Sequence, residues 1–473
     1  MAFSVDGLPD GLRVDPGNGH ITGAARREGD FRVLLRAENQ HGKAAREFSI
    51  VIGGGLALTP PLGWNSWNAW RRWVDDQKVR AAADSLVRTG LAARGFAYVN
   101  IDSCWQGARG GKHGAIQPNS KFPDIGSLAE HIHNQGLKFG IYSSPWTVPC
   151  GCQDKEAIED WGGPGLIGSS SGAPDPAHEP CLGSSPSEGH YVGMVKHEAQ
   201  DVNQWVEWGV DFLKYDWQPT DARSLERMGR ALKAAERDIV LGICTHASLS
   251  DIEDCKAWAH MWRSHQDTRD EWSMVRRLAF LSDHRSDHRG PGGWLTHVGP
   301  SAWYDLDMLA LGPQFHTPTS SCLNKLSQNE QITHMTRWAL YPSPLMLSCD
   351  LTAISDFELR LFGNEEVIAV NQDCLGKPAV QLYEESSPPD DDKSPKSECH
   401  IWARPLEDGS AAVGFFNLGE SAGELSLSLK DLGFSGSVTV RNVWERRELG
   451  RTRDTFSVDV PPHGAQLILV KPR

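Results

Sequence analysis

The sequence predicts a (β/α)8 TIM barrel with a small N-terminal β module and a C-terminal antiparallel β-sandwich. Two observations predict this architecture. Between residues 56 and 374, short apolar runs alternate with longer amphipathic stretches, which is the pattern of repeated βα units. Before and after this region, short segments alternate between apolar and polar residues, as half-buried antiparallel strands do. The domains are therefore predicted at 1–55, 56–374 and 375–473.

The N-terminal module is predicted from strand-like runs at 12–14, 31–37 and 48–52, which are separated by turns rich in Gly and Asn. Three or four such strands make a small sheet. We expect it to be part of an immunoglobulin-like sandwich that lacks its first strand. The triplet Gly53-Gly54-Gly55 is the predicted hinge to the next domain.

The central region contains eight strand candidates in about 320 residues, against about 250 residues in a typical barrel. Helical stretches are predicted at 76–89, 125–135 and 224–235. An open doubly wound sheet is the alternative, but no candidate is followed by the Gly-x-Gly-x-x-Gly motif of a dinucleotide-binding sheet. The strand candidates are 62–64, 97–101, 138–142, 210–214, 239–243, 261–263, 308–311 or the residues just before it, and 345–347.

Aspartates follow five of the eight predicted strands. The carboxyl ends of the strands form the active-site face of such a barrel. A single Asp at this place often caps the next helix, but five on one rim indicate a cluster of carboxylates at one mouth. These residues are Asp102, Asp216, Asp267, the pair Asp305 and Asp307, and Asp350.

The composition narrows the classes of function. Lys and Arg number 47 and Asp and Glu 61, and the net charge of −14 argues against a nucleic acid or an anionic membrane as partner. No apolar run approaches the roughly 18 residues of a membrane-spanning helix. The 10 cysteines leave room for one or two disulfides, but there is no Cys-x-x-Cys pair and therefore no predicted metal site. Trp is frequent, with 18 residues against 15 Phe and 7 Tyr, and indoles suit both cores and sugar stacking.

The first residues carry neither the basic nor the apolar segment of a signal peptide. We expect a secreted or periplasmic protein whose export signal lies outside this chain.

A mouth rich in carboxylates and tryptophan, without a nucleotide loop or a Ser-His-Asp elbow, predicts glycoside chemistry. Such enzymes use two carboxyl groups, one to attack the sugar or activate water and one to protonate the leaving oxygen. Asp216 is the candidate nucleophile. Lys214 lies on the same side of its strand, so we expect a cation to keep the carboxylate ionised. Asp267, as the acid, should occupy a drier or more negative environment.

Six segments occur in an order that is typical of one enzyme family. They are TPPLGWNSW at 59–67, YVNIDSCW at 98–105, LKFGIYSS at 137–144, WGVDFLKYD at 208–216, WYDLDML at 303–309 and EVIAVNQD at 366–373. Through them the chain resembles glycoside hydrolase family 27, which contains α-galactosidases (melibiases) and α-N-acetylgalactosaminidases. The resemblance covers about residues 57–376 and continues into the C-terminal sandwich. It implies a barrel, a retaining double displacement, no metal and no cofactor.

By this resemblance, Asp216 matches the family's nucleophile and Asp267 its acid/base. Eight further positions match residues around the terminal sugar. Among them, an indole offers a stacking face, cations donate charged hydrogen bonds to hydroxyls, and carboxylates accept them. Trp67, Asp102, Tyr142, Lys214, Arg263 and Asp307 match sugar-holding residues, and Cys150 and Met308 match the pocket lining.

Departures from the family pattern bear on the sugar that is accepted. Ser103 stands where a second Asp is usual, and Thr245 follows the fifth strand where the family has Glu or Gln. We include both among the predicted substrate-binding residues. A hydroxyl forms a hydrogen bond roughly half as strong as a charged acceptor does.

The sequence thus predicts a retaining exo-glycosidase that releases terminal α-linked galactose from oligosaccharides or glycans. Ser103 and Thr245 motivate an alternative with the same mechanism on a β-L-arabinopyranoside, an α-N-acetylgalactosaminide or an α-glucan. A non-catalytic carbohydrate-binding barrel is the alternative from another class, and the presence of both carboxylates argues against it. In each case the partner is a carbohydrate.

Overall fold

The computed structural model describes residues 1–23, 25–149, 167–178, 190–244, 247–280, 293–386 and 398–472. Its contacts divide the chain into two compact units, Met1–Leu56 and Ala57–Arg473. No helix in the described ranges combines the length and apolarity needed to cross a bilayer.

The N-terminal unit is all-β, and the three predicted runs lie within its strands. One antiparallel sheet has the order β1-β4-β5, and β2 pairs with β3 in a separate hairpin. Its relation to the immunoglobulin sandwich stays a prediction. The strands are β1 (Ala2–Asp6), β2 (Leu12–Val14), β3 (Ile21–Gly23), β4 (Gly29–Asn39) and β5 (Gly42–Ile52).

Eight parallel strands form the barrel of the second unit, which confirms the predicted fold class. They pair in the order β12-β11-β10-β9-β8-β7-β6-β13. Leu309, beyond β12, bridges to Leu347 of β13, and its N–H donates to the carbonyl of Met346 at 2.8 Å, so the cylinder closes. The strands are β6 (Leu62–Asn65), β7 (Tyr98–Asn100), β8 (Lys138–Ser143), β9 (Phe212–Asp216), β10 (Val240–Cys244), β11 (Met261–Trp262), β12 (Trp303–Tyr304) and β13 (Leu345–Leu347).

The seventh barrel strand is the one whose position was left open by the sequence. It occupies Trp303–Tyr304, just before the candidate at 308–311. Asp307 has a φ of 72°, which takes it out of the extended region and interrupts the strand. Pairing resumes only at Leu309.

Helices follow most of the strands, and the three predicted helical stretches are present with ends displaced by one or two residues. They are α1 (Ser66–Trp70), α2 (Asp76–Arg88), α3 (Ile125–Asn134), α4 (Glu198–Trp208), α5 (Ala222–Lys233), α6 (Ile252–Trp258), α7 (Trp272–Ala279), α8 (Gln328–Leu340), α9 (Asp356–Phe362) and α10 (Glu365–Asn371). Three hairpins extend the loops: Gln106–Gly110 with Ala115–Pro118, Ser170–Pro174 with Gly193–Lys196, and Gln314–Thr317 with Ser320–Cys322.

Aspartate caps do occur in this barrel, but at other positions than the strand ends. Asp75, Asp124 and Asp221 each accept a backbone N–H in the first turn of α2, α3 and α5. No described helix has one of the six strand-end aspartates as its N-cap. Helix capping therefore does not account for the carboxylates at the strand ends.

The C-terminal domain is an antiparallel sandwich of a six-stranded sheet, β14-β15-β16-β21-β18-β19, and a two-stranded sheet, β17-β20. Its residues Trp402 and Phe416 belong to the same buried core as the barrel. Arg337 of α8 lies at this junction, with its guanidinium over the ring of Trp402 at 3.6 Å. The strands are β14 (Val380–Ser386), β15 (Glu398–Pro405), β16 (Ala411–Asn417), β17 (Gly423–Ser428), β18 (Val438–Asn442), β19 (Arg447–Thr452), β20 (Thr455–Val460) and β21 (Ala465–Pro472).

The tryptophans near the strand ends pack mainly in the hydrophobic core. Their positions suggest a mouth lined with indoles, but all except Trp67 are at most 2% exposed, and three of them donate their N–H to a backbone carbonyl. Trp67 is partly exposed. Most of these tryptophans therefore stabilise the barrel, and Trp67 is the member of the set that is available to a ligand. The buried members are Trp64, Trp105, Trp146, Trp217, Trp262 and Trp303.

Candidate active site

The fourth barrel strand ends at Asp216, the predicted nucleophile. The Tyr142 hydroxyl, on the neighbouring third strand, donates to Asp216 Oδ2 at 2.8 Å. Burial raises the pKa of Asp216, and the cations Lys214 and Arg263 oppose this rise without cancelling it. We expected a neighbouring cation to dominate this carboxylate, but its withdrawal from water has the larger effect.

Lys214 lies two residues before Asp216 on the same strand and pairs with Asp102. Its Nζ is 2.7 Å from Asp102 Oδ2. Burial acts to lower the pKa of Lys214, but Asp102 outweighs it and the pKa is raised well above its usual value. Asp102 is held in turn, because its N–H donates to Ser66 Oγ at 2.9 Å and its Oδ1 accepts the N–H of Ser103 at 2.8 Å. The lysine is therefore a fixed cation beside the nucleophile.

Arg263, which is 1% exposed, connects the acid candidate to the seventh strand. Its Nη2 donates to Asp267 Oδ1 at 2.8 Å, and its Nη1 lies 2.7 Å from Asp307 Oδ1. Partial withdrawal from water acts to raise the pKa of Asp267, but the Arg263 guanidinium prevails and lowers it. Asp267 was expected in a dry or negative environment. Instead its side chain is 54% exposed and paired with a cation.

Every polar atom of Asp307 is engaged. The Thr268 N–H donates to Oδ2 at 2.6 Å, the Trp338 indole donates to the carbonyl at 2.8 Å, and the Asp307 N–H donates to Asp305 Oδ1 at 2.8 Å. With the Arg263 contact, these bonds set the carboxylate in one orientation. Burial raises the pKa of Asp307, against the influence of Arg263.

The structure thus brings seven predicted site residues into one connected set of contacts. Met308 lines a small cavity of about 30 Å³ with Lys214 and Asp307. Ser103 is buried beside Asp102, whereas Cys150 and Thr245 lie outside the described residues. The connected residues are Asp102, Tyr142, Lys214, Asp216, Arg263, Asp267 and Asp307.

One strand-end carboxylate has a different environment. Asp350 accepts hydrogen bonds from Thr352 and Ser321 and lines a separate cavity of about 370 Å³. Sequence reasoning left out Ser66, which orients the site, and it named Asp305 only as a strand-end carboxylate, without a role in the site. Both residues lie inside the family segments, which locate them along the chain. The segments do not reveal which groups these two side chains contact.

No group of three or more potential metal ligands occurs in the described part of the chain. Five cysteines in the described ranges are free thiols: Cys255, Cys322, Cys349, Cys374 and Cys399. The described site holds carboxylates and fixed cations: Asp216 in a water-poor setting, and Asp267, which Arg263 joins to Asp307.

Comparison with known proteins identifies the family. A family model described as alpha galactosidase A (Melibiase_2) matches residues 59–155 and 181–373, and a model of the alpha galactosidase C-terminal beta sandwich domain matches 396–470. The α-galactosidase of Cyamopsis tetragonoloba is 30% identical over 455 residues, which is 93% of each chain. The chain belongs to glycoside hydrolase family 27.

The resemblance carried by the six segments is confirmed, and the chain is a glycoside hydrolase. Two solved structures of the family share its fold. A β-L-arabinopyranosidase of Geobacillus stearothermophilus in complex with arabinose has a TM-score of 0.71 at 25% identity, covering 88% of this chain and 98% of that one. The α-galactosidase I of Mortierella vinacea has a TM-score of 0.67 at 26% identity, covering 89% and 98%.

Proposed function

We propose that this family 27 enzyme is a retaining exo-α-galactosidase with Asp216 as nucleophile and Asp267 as acid/base. The observation that carries the proposal is the end of the fourth strand, where the Tyr142 hydroxyl orients the carboxylate of Asp216 beside the Arg263–Asp267 pair. The α-galactosidase names of its relatives support the choice of sugar.

The reaction has two displacements. In the first, Asp216 attacks the anomeric carbon, the glycosidic C–O bond breaks, and Asp267 gives its proton to the leaving oxygen. In the second, Asp267 takes a proton from water, the water oxygen attacks the same carbon, and the bond to Asp216 breaks. Because the configuration inverts twice, the released galactose keeps the α configuration.

The first step requires a proton on Asp267, although Arg263 lowers the pKa of this group in the free enzyme. The side chain of Asp267 is 54% exposed at the barrel mouth, so a sugar bound there would remove water from it. Removal of water raises the pKa of a carboxyl group. Substrate binding therefore favours the protonated acid.

A glycoside panel tests the function. We expect hydrolysis of p-nitrophenyl α-galactoside, and we expect NMR taken early in the reaction to show α-galactose before it equilibrates. Turnover of another glycoside together with no turnover of the α-galactoside would refute the choice of sugar. A first product with the β configuration would refute retention.

A second substrate, a β-L-arabinopyranoside, is favoured by one residue. This sugar is galactose without its CH2OH group. Ser103 replaces a carboxylate beside Asp102 and is 1% exposed, so the site has one charged acceptor fewer. The structural neighbour from Geobacillus is a β-L-arabinopyranosidase. A higher kcat/KM on p-nitrophenyl β-L-arabinopyranoside than on the α-galactoside would select this alternative.

Trp67 is the predicted stacking residue, so we expect Trp67→Ala to raise KM by about tenfold with a smaller change in kcat, since one aromatic contact contributes about 0.5–1.5 kcal/mol. Initial rates over a range of substrate concentrations separate the two constants. Trp73→Ala, which removes another partly exposed indole from the 3₁₀ turn Arg71–Trp73, is the control and should leave KM unchanged. Equal effects of both variants would assign Trp67 to packing.

A further inference from the structure

We infer that Asp305 is a positioning residue, which holds Asp307 in the conformation that presents its carboxylate to the sugar. The inference deepens the proposed function, because it takes Asp307 as a sugar-binding residue. The geometry of the interrupted seventh strand carries it.

The backbone at Asp307 is the first observation. Its φ of 72° lies in the left-handed region, where the Cβ of an L-residue crowds the following carbonyl oxygen. This conformation persists only where neighbouring groups hold it. Asp305 Oδ1 accepts the Asp307 N–H at 2.8 Å, which closes a short turn around Leu306.

The second observation is which group holds each polar part of Asp307. Arg263 and Thr268 hold the carboxylate of Asp307, and the Trp338 indole holds its carbonyl. Asp305 is the partner that the structure shows for the Asp307 N–H. Its own N–H donates to the carbonyl of Trp262 at 2.8 Å, so the turn is joined to the sixth strand. Loss of the Asp305 carboxyl group removes the anchor of the Asp307 N–H, so the left-handed turn is no longer held from the amide side and the carboxylate of Asp307 loses its single orientation.

The setting of Asp305 is the third observation. Its side chain lines the cavity of about 30 Å³ that Lys214 and Met308 also line. Burial raises the pKa of Asp305 to about 7, and the charge of Asp307 adds to the rise, whereas Arg263, the hydrogen bond from the Asp307 N–H and Lys214 oppose it. The carboxyl group is thus turned toward the interior of the barrel end, where it meets the Asp307 N–H.

The test compares two substitutions. Asp305→Ala removes the acceptor, and we expect KM for the α-galactoside to rise about tenfold while kcat stays within about threefold. Asp305→Asn keeps an oxygen at the same place, and KM should stay within about twofold at both pH 5 and pH 8. An equal rise of KM in both variants would show that the charge matters rather than the acceptor, and would overturn the inference.

A double-mutant cycle separates a positioning role from a general structural one. If Asp305 acts through Asp307, adding Asp305→Ala to Asp307→Ala should raise KM by less than twofold further. Multiplying effects would contradict the inference. Turnover of the wild type on the glycoside panel is measured first, and its failure concerns the proposed function. The cycle then uses whichever glycoside is hydrolysed.

Thermal unfolding supplies a readout that needs no substrate. The raised pKa of Asp305 favours its neutral form in the folded state, so the stability it contributes is present near pH 4 and is lost as the pH rises through about 7. The Tm of the wild type should therefore fall relative to Asp305→Asn between pH 4 and pH 8. A constant Tm difference would mean that this carboxyl group is not buried at the barrel end, as the contact with the Asp307 turn requires, and would overturn the inference.

Discussion

Asp216→Asn is expected to reduce kcat by a factor on the order of 10⁴ or more, because an amide cannot form the glycosyl ester on which the double displacement depends. The substitution is nearly isosteric and keeps an oxygen that accepts the Tyr142 hydroxyl. Galactose binding, measured by calorimetry, should therefore be retained. Full activity of this variant would refute the assignment of the nucleophile.

Azide distinguishes the two catalytic carboxylates by the configuration of the product. In Asp216→Gly, which vacates the place of the carboxylate, azide can occupy that place and attack the anomeric carbon from the same face, which gives a β-galactosyl azide. In Asp267→Gly, the glycosyl–enzyme still forms from a substrate with a good leaving group, and azide attacks it from the opposite face to give the α product. The reverse pair of products would exchange the two roles.

Stability provides the control for Asp216→Asn. Burial raises the pKa of Asp216, so the ionised group costs folding free energy, and the stability of its neutral form is lost as the pH rises through the folded pKa. The Tm of the variant at pH 7 should equal or exceed that of the wild type. Asp124→Asn, which changes a helix cap of α3, should leave kcat unchanged.

The fold was predictable because its signals are local. A run of four or five apolar residues indicates a barrel strand whatever lies elsewhere in the chain, and Asp75 indicates the start of α2 through a contact three residues away. The break in the seventh strand depends on non-local contacts instead. Trp338 and Thr268, which hold Asp307, lie 31 and 39 residues from it, and no local pattern reveals them.

The composition of the site was predictable, but its electrostatics were not. The strand-end rule located Asp216 and Asp267, since every parallel strand delivers its last residue to the same rim. The direction of the side chains decides which carboxylate is withdrawn from water and which is paired with a cation. Lys214 is two residues from Asp216, yet its ammonium bonds to Asp102. Arg263 is four residues from Asp267 and does bond to it.

Arg263 is expected to give the largest effect on stability. Arg263→Met removes the cation between Asp267 and Asp307 while keeping a similar apolar volume. Breaking a buried ion pair from one side costs about 3–5 kcal/mol, and we expect a loss of this size in the free energy of unfolding at pH 8. Thermal and denaturant unfolding measure it. Activity should fall as well, because the orientation of both carboxylates is lost.

The pH dependence of this loss identifies its cause. Without the guanidinium, the pKa values of Asp267 and Asp307 rise, because Arg263 opposes the effect of burial on both. A raised pKa in the folded state gives stability at low pH that is lost as the pH increases, so the deficit of Arg263→Met should shrink toward pH 4.

Arg404→Met is the matched control for this pH dependence. Arg404 is equally buried, but it donates to the carbonyls of Ala339 and Val370. The deficit of this variant should not vary between pH 4 and pH 8. If both deficits are constant with pH, Arg263 contributes through packing, and the carboxylates of the site do not depend on it for their charge.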